Sequence, residues 1–253
     1  YSVAPSYHFG INVRQSHILA SESSRKAIEL DGSLAETHLA RATSLSFDWK
    51  WAEAEAEYRR AMEINPNSAA AHYFYAFSYL VPQKRIDEAL DEFRIALSLD
   101  PLSPITATNY AVTLMIAHLY AEASAEFQRA LALDPDLEAV HLKLPFLFAT
   151  TGNFAEAIAE LLKYSAVPGS WSLDARGFNR LVLLAVPKQL DWQAYAALSF
   201  ALCGDSDAAF EYLEKAFSEQ DFNLLSAIRY PALDPLRSDP RYTNLMIRLG
   251  LPE

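Results

Sequence analysis

A short phrase that recurs at nearly constant spacing most limits how this chain can fold. Ala27-Ile-Glu-Leu-Asp-Gly32 returns as Ala61-Met-Glu-Ile-Asn-Pro66, as Ala96-Leu-Ser-Leu-Asp-Pro101 and as Ala130-Leu-Ala-Leu-Asp-Pro135. The last residues of these four phrases lie 34, 35 and 34 positions apart. A chain that repeats at this interval is predicted to stack small supersecondary units, none of which can bury its apolar face alone.

Each repeat also carries a fixed pattern of side-chain size. A small residue, an aromatic residue and a second small residue precede each proline by twelve, eight and five positions. Small residues let two helices approach closely, and the aromatic ring fills the space between them. The three clear copies are Ala54, Tyr58, Ala61; Ala89, Phe93, Ala96; and Ala123, Phe127, Ala130, and weaker copies contain Gly152, Ala157, Leu161, Tyr164 and Gly204, Ala209, Leu213, Ala216.

Composition agrees with a helical class. Residues of the hydrophobic types make up 51% of the chain and only 7 residues are glycine, which favours an ordered, packed structure. Ala, Leu and Glu are abundant, and no long run alternates apolar with polar residues. The predicted fold class is therefore all-α.

The repeated Ala, aromatic, Ala and Leu-Asp-Pro positions between Leu34 and Asp221 resemble the tetratricopeptide repeat (TPR) family. This resemblance implies a right-handed superhelix of TPR helix hairpins that serves as a protein-interaction or scaffold module and not as an enzyme. Two stretches, 48–61 and 234–245, are similar to those in the C-terminal TPR regions of bacterial signalling proteins with an upstream winged-helix, Ser/Thr kinase or cyclase domain. Because the chain opens at Tyr1 without a methionine, we expect it to be cut from such a longer protein.

The spacing of the repeats predicts one domain with an insertion. Gly152 and Gly204 lie 52 residues apart, which leaves room for about one extra helix between Pro168 and Pro187. Pro145 falls inside a predicted helix and should kink or restart it. The predicted divisions are an N-terminal partial hairpin (1–33), repeats at 34–67, 69–101, 102–135 and 136–169, an inserted helix (170–189), a last repeat (190–221) and a C-terminal helical cap (222–253).

Charge and cysteine content narrow the classes of partner. The formal net charge is -11, and Lys and Arg are scattered, so we expect no nucleic acid to bind this segment. The apolar runs are shorter than the roughly 20 residues that a membrane-spanning helix needs, so we expect a soluble segment and no membrane insertion. The sequence leaves the compartment unknown, with the cytoplasm favoured. The single cysteine, Cys203, cannot form an internal disulfide.

Motifs that carry chemistry are missing from the sequence. It contains no Gly-rich phosphate loop, no HExxH, no GxSxG and no EF-hand spacing. We therefore predict no catalytic residues, no cofactor and no metal site. Packing is the expected role of the six histidines, of which His38 and His141 occupy corresponding repeat positions, and Glu53, Glu55 and Glu57 are expected to form a solvated helix face.

The first helix of each hairpin should line a concave groove. Counting back from the prolines places an apolar and aromatic set there: Leu39, Phe74, Tyr75, Ser78, Ile105, Thr108, Asn109, Val112, Leu142, Lys143 and Phe146. Asn109 and Lys143 resemble two residues with which some TPR domains clamp a C-terminal carboxylate, whereas Phe74 and Ala139 stand where that clamp has lysines. An apolar peptide or partner helix suits this lining better.

Several alternatives stay open at this point. The insert, the N-terminal segment or a second copy of the chain could cover the predicted groove residues. The module could serve self-association as a homodimer, or it could be a helical domain that senses a small molecule or catalyses a reaction. Each alternative makes a different demand on the tertiary structure.

Overall fold

A computed structural model describes residues 13–165, 170–185, 193–221 and 223–253. Within these ranges the chain is all-α and contains no β-strand, as predicted. A π-helix (Ala76–Leu80) follows α4 and a 3-10 helix (Pro231–Leu236) follows α13. The α-helices are α1 (Val13–Leu30), α2 (Ala35–Phe47), α3 (Trp51–Ile64), α4 (Ala69–Tyr75), α5 (Ile86–Leu99), α6 (Pro104–Ile116), α7 (Tyr120–Leu133), α8 (Glu138–Thr150), α9 (Phe154–Ser165), α10 (Ala175–Ala185), α11 (Gln193–Leu202), α12 (Ser206–Glu219), α13 (Leu224–Ala227) and α14 (Pro240–Leu249).

The helices form two compact units. The first contains the described residues up to Pro101 together with Arg248–Pro252, and the second contains those of Leu102–Ile247 and Glu253. In the first unit α2 pairs with α3, and α4 with its π-helix pairs with α5; in the second unit α6 pairs with α7, α8 with α9, and α11 with α12. The predicted single domain, with its division into repeats, is still a proposal.

Every one of these hairpins turns through a residue with left-handed backbone geometry. The φ angle is between 58° and 84° at the equivalent position of each turn. Two of the five positions hold glycine, which adopts this conformation without steric cost. The five turn residues are Trp49, Lys84, His118, Gly152 and Gly204.

The predicted pattern of side-chain size builds the core. Tyr58, Phe93 and Phe127 are completely buried on the second helices of their hairpins. The small residues four before and three after each ring are at most 1% exposed, which lets neighbouring helices lie in close contact. These small residues are Ala54, Ala61, Ala89, Ala96, Ala123 and Ala130.

A π-helix explains why one repeat is longer than the others. His38 precedes the left-handed turn residue of its hairpin by 11 positions, and His141 does the same, whereas His72 precedes Lys84 by 12. The additional residue therefore lies between His72 and Lys84, where the chain widens into the π-helix at Ala76–Leu80. A π-turn accommodates one extra residue inside a helix without breaking it.

Three histidines form the same polar bridge in three hairpins. The Nε2 atoms of His38, His72 and His141 each lie 2.9 Å from the carbonyl oxygen of the residue six positions earlier. Their Nδ1 atoms lie 2.6, 2.5 and 2.8 Å from carboxylate oxygens on the second helix, which belong to Glu57, Glu92 and Glu160. Carbonyl and carboxylate oxygens are both acceptors, so each ring joins the turn before its hairpin to the second helix.

The inserted segment and α8 depart from the regular repeat. Helix α10 packs between α9 and α11, where Phe178, Leu181 and Val182 are fully buried. Helix α8 runs from Glu138 to Thr150 through Pro145, so the helix does not restart there, and a kink at this proline stays a prediction. Residues 1–12, Pro168, Pro187–Leu190 and the side chain of Tyr164, all part of the sequence predictions, lie outside the described residues.

The His72 bridge predicts a loss of stability with rising pH. The hydrogen bond to Glu92 and that to the Pro66 carbonyl raise the pKa of His72 despite its burial. Because the pKa of His72 is higher in the folded than in the unfolded chain, its protonation stabilises the fold, and this contribution is complete below the unfolded pKa of about 6.5. The contribution disappears as the pH rises through the folded pKa. We expect His72→Gln to lower the free energy of unfolding by about 1 kcal/mol at about pH 6, and by less near pH 8.5.

Denaturant unfolding at a series of pH values measures this difference. Gln is the matched replacement because it hydrogen-bonds but does not titrate. Parallel pH curves for the wild-type protein and the variant would contradict a proton-linked bridge.

Candidate functional site

The structure buries most of the residues predicted to line a groove. Ile105 is exposed, and Leu39, Phe74 and Leu142 are half-buried. A partner cannot reach a completely buried side chain without rearranging the fold, so the buried residues do not form a surface in this structure. These are Tyr75, Ser78, Thr108, Asn109, Val112, Lys143 and Phe146.

The π-helix also changes which residues of the second hairpin are equivalent to Leu39 and Thr43. Counting back from Pro101 passes through the extra residue and therefore reaches Phe74 and Ser78. The His38 and His72 bridges align the two first helices directly, and this alignment pairs Leu39 with Tyr73 and Thr43 with Phe77. The 34-residue spacing of the two histidines was the sequence signal for this alignment.

The first unit consequently presents a partly exposed aromatic face on its first helices. We call Leu39, Tyr73 and Phe74 the aromatic face, and the buried Phe77 ring lies beneath it. The Tyr73 ring stacks on Phe77 at 6.2 Å between centroids with 12° between planes, and it meets Phe74 edge-on at 4.8 Å. These contacts hold the rings in place, so the face is preformed.

Tyr75 belongs to a polar network inside the hairpin and not to this face. The Glu55 carboxylate accepts hydrogen bonds from Tyr75 Oη at 3.2 Å and Tyr79 Oη at 2.9 Å. It also accepts from Arg85 at 2.7 Å and Arg59 at 2.9 Å. Burial raises the pKa of Glu55, but the hydrogen bonds from Arg85, Arg59 and Tyr79 outweigh burial and lower it to about 2. Glu55 therefore departs from the predicted solvated helix face.

Asn109 and Lys143 do meet, but they meet inside the second unit. Lys143 Nζ donates a hydrogen bond to Asn109 Oδ1 over 2.6 Å. Lys143 is 8% exposed and Asn109 is 2% exposed. Burial lowers the pKa of Lys143 to about 8. A carboxylate clamp needs its lysine at an open surface, whereas this lysine bridges α6 and α8.

The C-terminal segment covers Phe146, another predicted groove residue of the second unit. The Phe146 ring stacks on Tyr195 of α11 at 5.4 Å and meets Tyr230 at 6.5 Å. The 3-10 helix that follows Tyr230 packs on both α8 and α11. Ile228, Tyr230 and Leu233 are at most 1% exposed, so the chain itself occupies the surface that Phe146 would otherwise line. The sequence suggested only that this tail caps the last hairpin.

Metal ligation and membrane insertion receive no support from the part of the chain that the structure describes. No group of three or more His, Cys, Asp or Glu side chains there is arranged to hold a metal ion. None of the described helices has both the length and the apolar character that crossing a bilayer requires.

Comparison with solved structures identifies the fold as that of TPR proteins. PilW, described as a widely conserved type IV pilus biogenesis factor, is 18% identical with a TM-score of 0.56, and 92% of each chain is covered. Pseudomonas aeruginosa PilF is 20% identical with a TM-score of 0.53, over 93% of this chain and 91% of the other. A TPR protein of Thermus thermophilus is 15% identical with a TM-score of 0.52, over 85% of this chain and 97% of the other.

Neither a protein-family model nor a curated protein sequence matches this chain. At identities of this level the structural likeness concerns the fold. The upstream domain and the partner implied by the sequence resemblance remain expectations.

The buried Lys143 predicts a gain of stability at alkaline pH. Its folded pKa of about 8 lies below the unfolded value of about 10.4. Between these values the unfolded chain binds more protons, so the free energy of unfolding rises with pH. We expect Lys143→Met, which carries no charge, to lack this rise and to be more stable than the wild type near pH 7.

The exposed Lys50 offers a matched control. Lys50→Met should retain the alkaline rise when both variants are unfolded with denaturant between about pH 7 and about pH 10.5. An unchanged rise in Lys143→Met would contradict a buried, desolvated ammonium group.

Proposed function

We propose that this protein is a protein-interaction module and that its first unit binds an apolar peptide or partner helix at the aromatic face. The observation that carries this proposal is the exposure of a preformed group of rings on α4 beside Leu39 of α2. Partly exposed aromatic side chains that are held rigidly contribute most of the binding energy in many protein interfaces. The TPR fold supports the proposal because it displays the first helices of successive hairpins side by side.

The second unit contributes in a different way. Its Phe146 position is covered by Tyr230, and its Asn109 and Lys143 side chains are buried. In this proposal the second unit therefore does not bind a carboxylate terminus through those two residues. A regulatory setting in a larger bacterial protein is part of the proposal and rests on the sequence resemblance alone.

Substitution of the aromatic face tests the proposal. Proximity cross-linking in cells measures which partners the wild-type chain captures. We expect the double variant Tyr73→Ser/Phe74→Ser to capture these partners with a yield at least about tenfold lower, because two aromatic contacts are removed. Tyr75 is left intact because its hydroxyl bonds Glu55, so its replacement would disturb the fold.

The matched control lies on a second helix of the same unit. Ile95 of α5 is 40% exposed, and Ile95→Ser removes a comparable apolar side chain away from the first helices. Circular dichroism at matched concentrations should show equal helicity for all variants. The proposed face is refuted if Ile95→Ser loses partners as strongly as the double variant, or if the double variant retains them fully. Sedimentation would reveal whether the captured partner is a second copy of the chain.

A further inference from the structure

The outward face of α10 carries two arginines that form no ion pair with any residue the structure describes. Arg176 and Arg180 lie one turn apart and are both exposed. The other exposed cations among the described residues of the second unit are paired: Lys163 with Glu160, Lys215 with Glu211, and Arg241 with Asp207 and Asp239. Within 4 Å of Arg176 and Arg180, the described part of this unit offers no carboxylate partner, and the Asp174 carboxylate interacts with Arg176 only through attraction at longer range.

Exposed leucines flank the two arginines. Leu173 just before α10 is 65% exposed, and Leu184 near its end is 58% exposed. Arg176, Arg180 and Leu184 are spaced by four residues and so share one helix face. At a rise of about 1.5 Å per residue α10 extends about 14 Å from Ala175 to Leu184, and Leu173 lies just before its first turn, so the surface spans roughly three helical turns. We call these four residues the α10 face.

The structure around this face is rigidly built. A side chain added at Gly177 would collide with the Ser172 carbonyl oxygen, so the loop before α10 lies directly on the first turn of the helix. Asp174 caps that turn, since its Oδ1 atom accepts from the Gly177 amide over 2.8 Å. The Arg180 guanidinium lies over the Trp171 ring at 5.9 Å. These contacts fix the spacing between the leucines and the arginines.

A cavity of about 560 Å³ adjoins the same surface. Arg176 and Asn179 form its α10 wall, while Phe200, Cys203 and Ser206 belong to the opposite hairpin. Arg176 is thus shared by the cavity and the helix face. Asp205 and Asp207 also line the cavity, but Asp205 caps α12 and Asp207 pairs with Arg241.

We infer that the α10 face binds an acidic amphipathic helix of a partner protein. Two carboxylates one turn apart on the partner bind Arg176 and Arg180, and apolar side chains at its ends pack on Leu173 and Leu184. The chain as a whole carries a charge of -11, so an acidic partner is repelled by most of the surface and is attracted at this basic position. The same net charge disfavours an anionic membrane, which would face a much larger area of the protein.

This surface lies on the helix that interrupts the 34-residue repeat. The buried side of α10 fills the space between α9 and α11 with Phe178, Leu181 and Val182. The outward side takes no part in this packing. The inference does not depend on the aromatic face, which lies in the other unit, so each proposal can fail while the other stands.

Two stapled helical peptides of about 16 residues test the inference with the full chain. The first has two Glu residues one turn apart between two Leu residues about three turns apart, and the second has Lys in place of Glu. Fluorescence anisotropy should show that the wild-type protein binds the Glu peptide about tenfold more tightly than the Lys peptide, with weaker binding at high salt. In the charge-reversed variant Arg176→Glu/Arg180→Glu the preference should invert.

Three control measurements test whether the α10 face itself accounts for the binding. Lys215→Glu, which changes a paired cation elsewhere in the unit, should retain the wild-type preference. Leu173→Ser/Leu184→Ser should weaken both peptides by a similar factor of about ten, because each leucine loses apolar burial. Vesicles of phosphatidylcholine with phosphatidylglycerol should not bind.

The inference is overturned if the wild-type protein does not distinguish the two peptides, or if charge reversal leaves the preference unchanged. It is also overturned if Lys215→Glu alters the preference as strongly as the double arginine variant does. Vesicle binding that disappears in the double arginine variant would assign the face to a membrane surface and exclude the proposed protein partner.

Discussion

Close approach of helices at alanine is the constraint on which the rest of this structure depends. Ala54, Ala61, Ala89 and Ala96 have at most 1% of their surface exposed, because each lies where a neighbouring helix crosses. A larger side chain at such a crossing would overpack the core and cost about 1–3 kcal/mol. The buried rings of the second helices fill the spaces that the alanines leave, so size alternation along the sequence is converted directly into hairpin geometry.

Polar contacts add orientation to this apolar core. The three histidine bridges join the turn before a hairpin, its first helix and its second helix through two hydrogen bonds each. The corresponding position of the third hairpin is Ala107, and there Glu126 pairs with Arg129 instead. The hairpins therefore share one backbone arrangement but differ in the polar side chains that join their two helices. The Glu55 network similarly ties α3 to the π-helix and to Arg85.

Departures from the repeat determine where binding surfaces can form. The π-turn shifts the register counted back from Pro101 by one residue, so Tyr73 corresponds to Leu39, and the partly exposed rings of Tyr73 and Phe74 give the first unit an aromatic face. In the second unit the segment around Tyr230 lies on Phe146, while α10 presents its arginines outward. We propose a module with two chemically different faces, one aromatic and one basic with flanking leucines.

The amino-acid sequence by itself determined the helical class, the hairpin repeat and the buried alanine and aromatic positions, because these depend on local spacing and side-chain size. It allowed Pro145 either to kink its helix or to restart it, and only the structure shows that α8 continues through this residue. Only the tertiary structure decided which groove residues are accessible. The spacing of His38 and His72 carries the register change at the π-turn. The segment around Tyr230 that covers Phe146 lies far along the chain, and no local pattern encodes that contact.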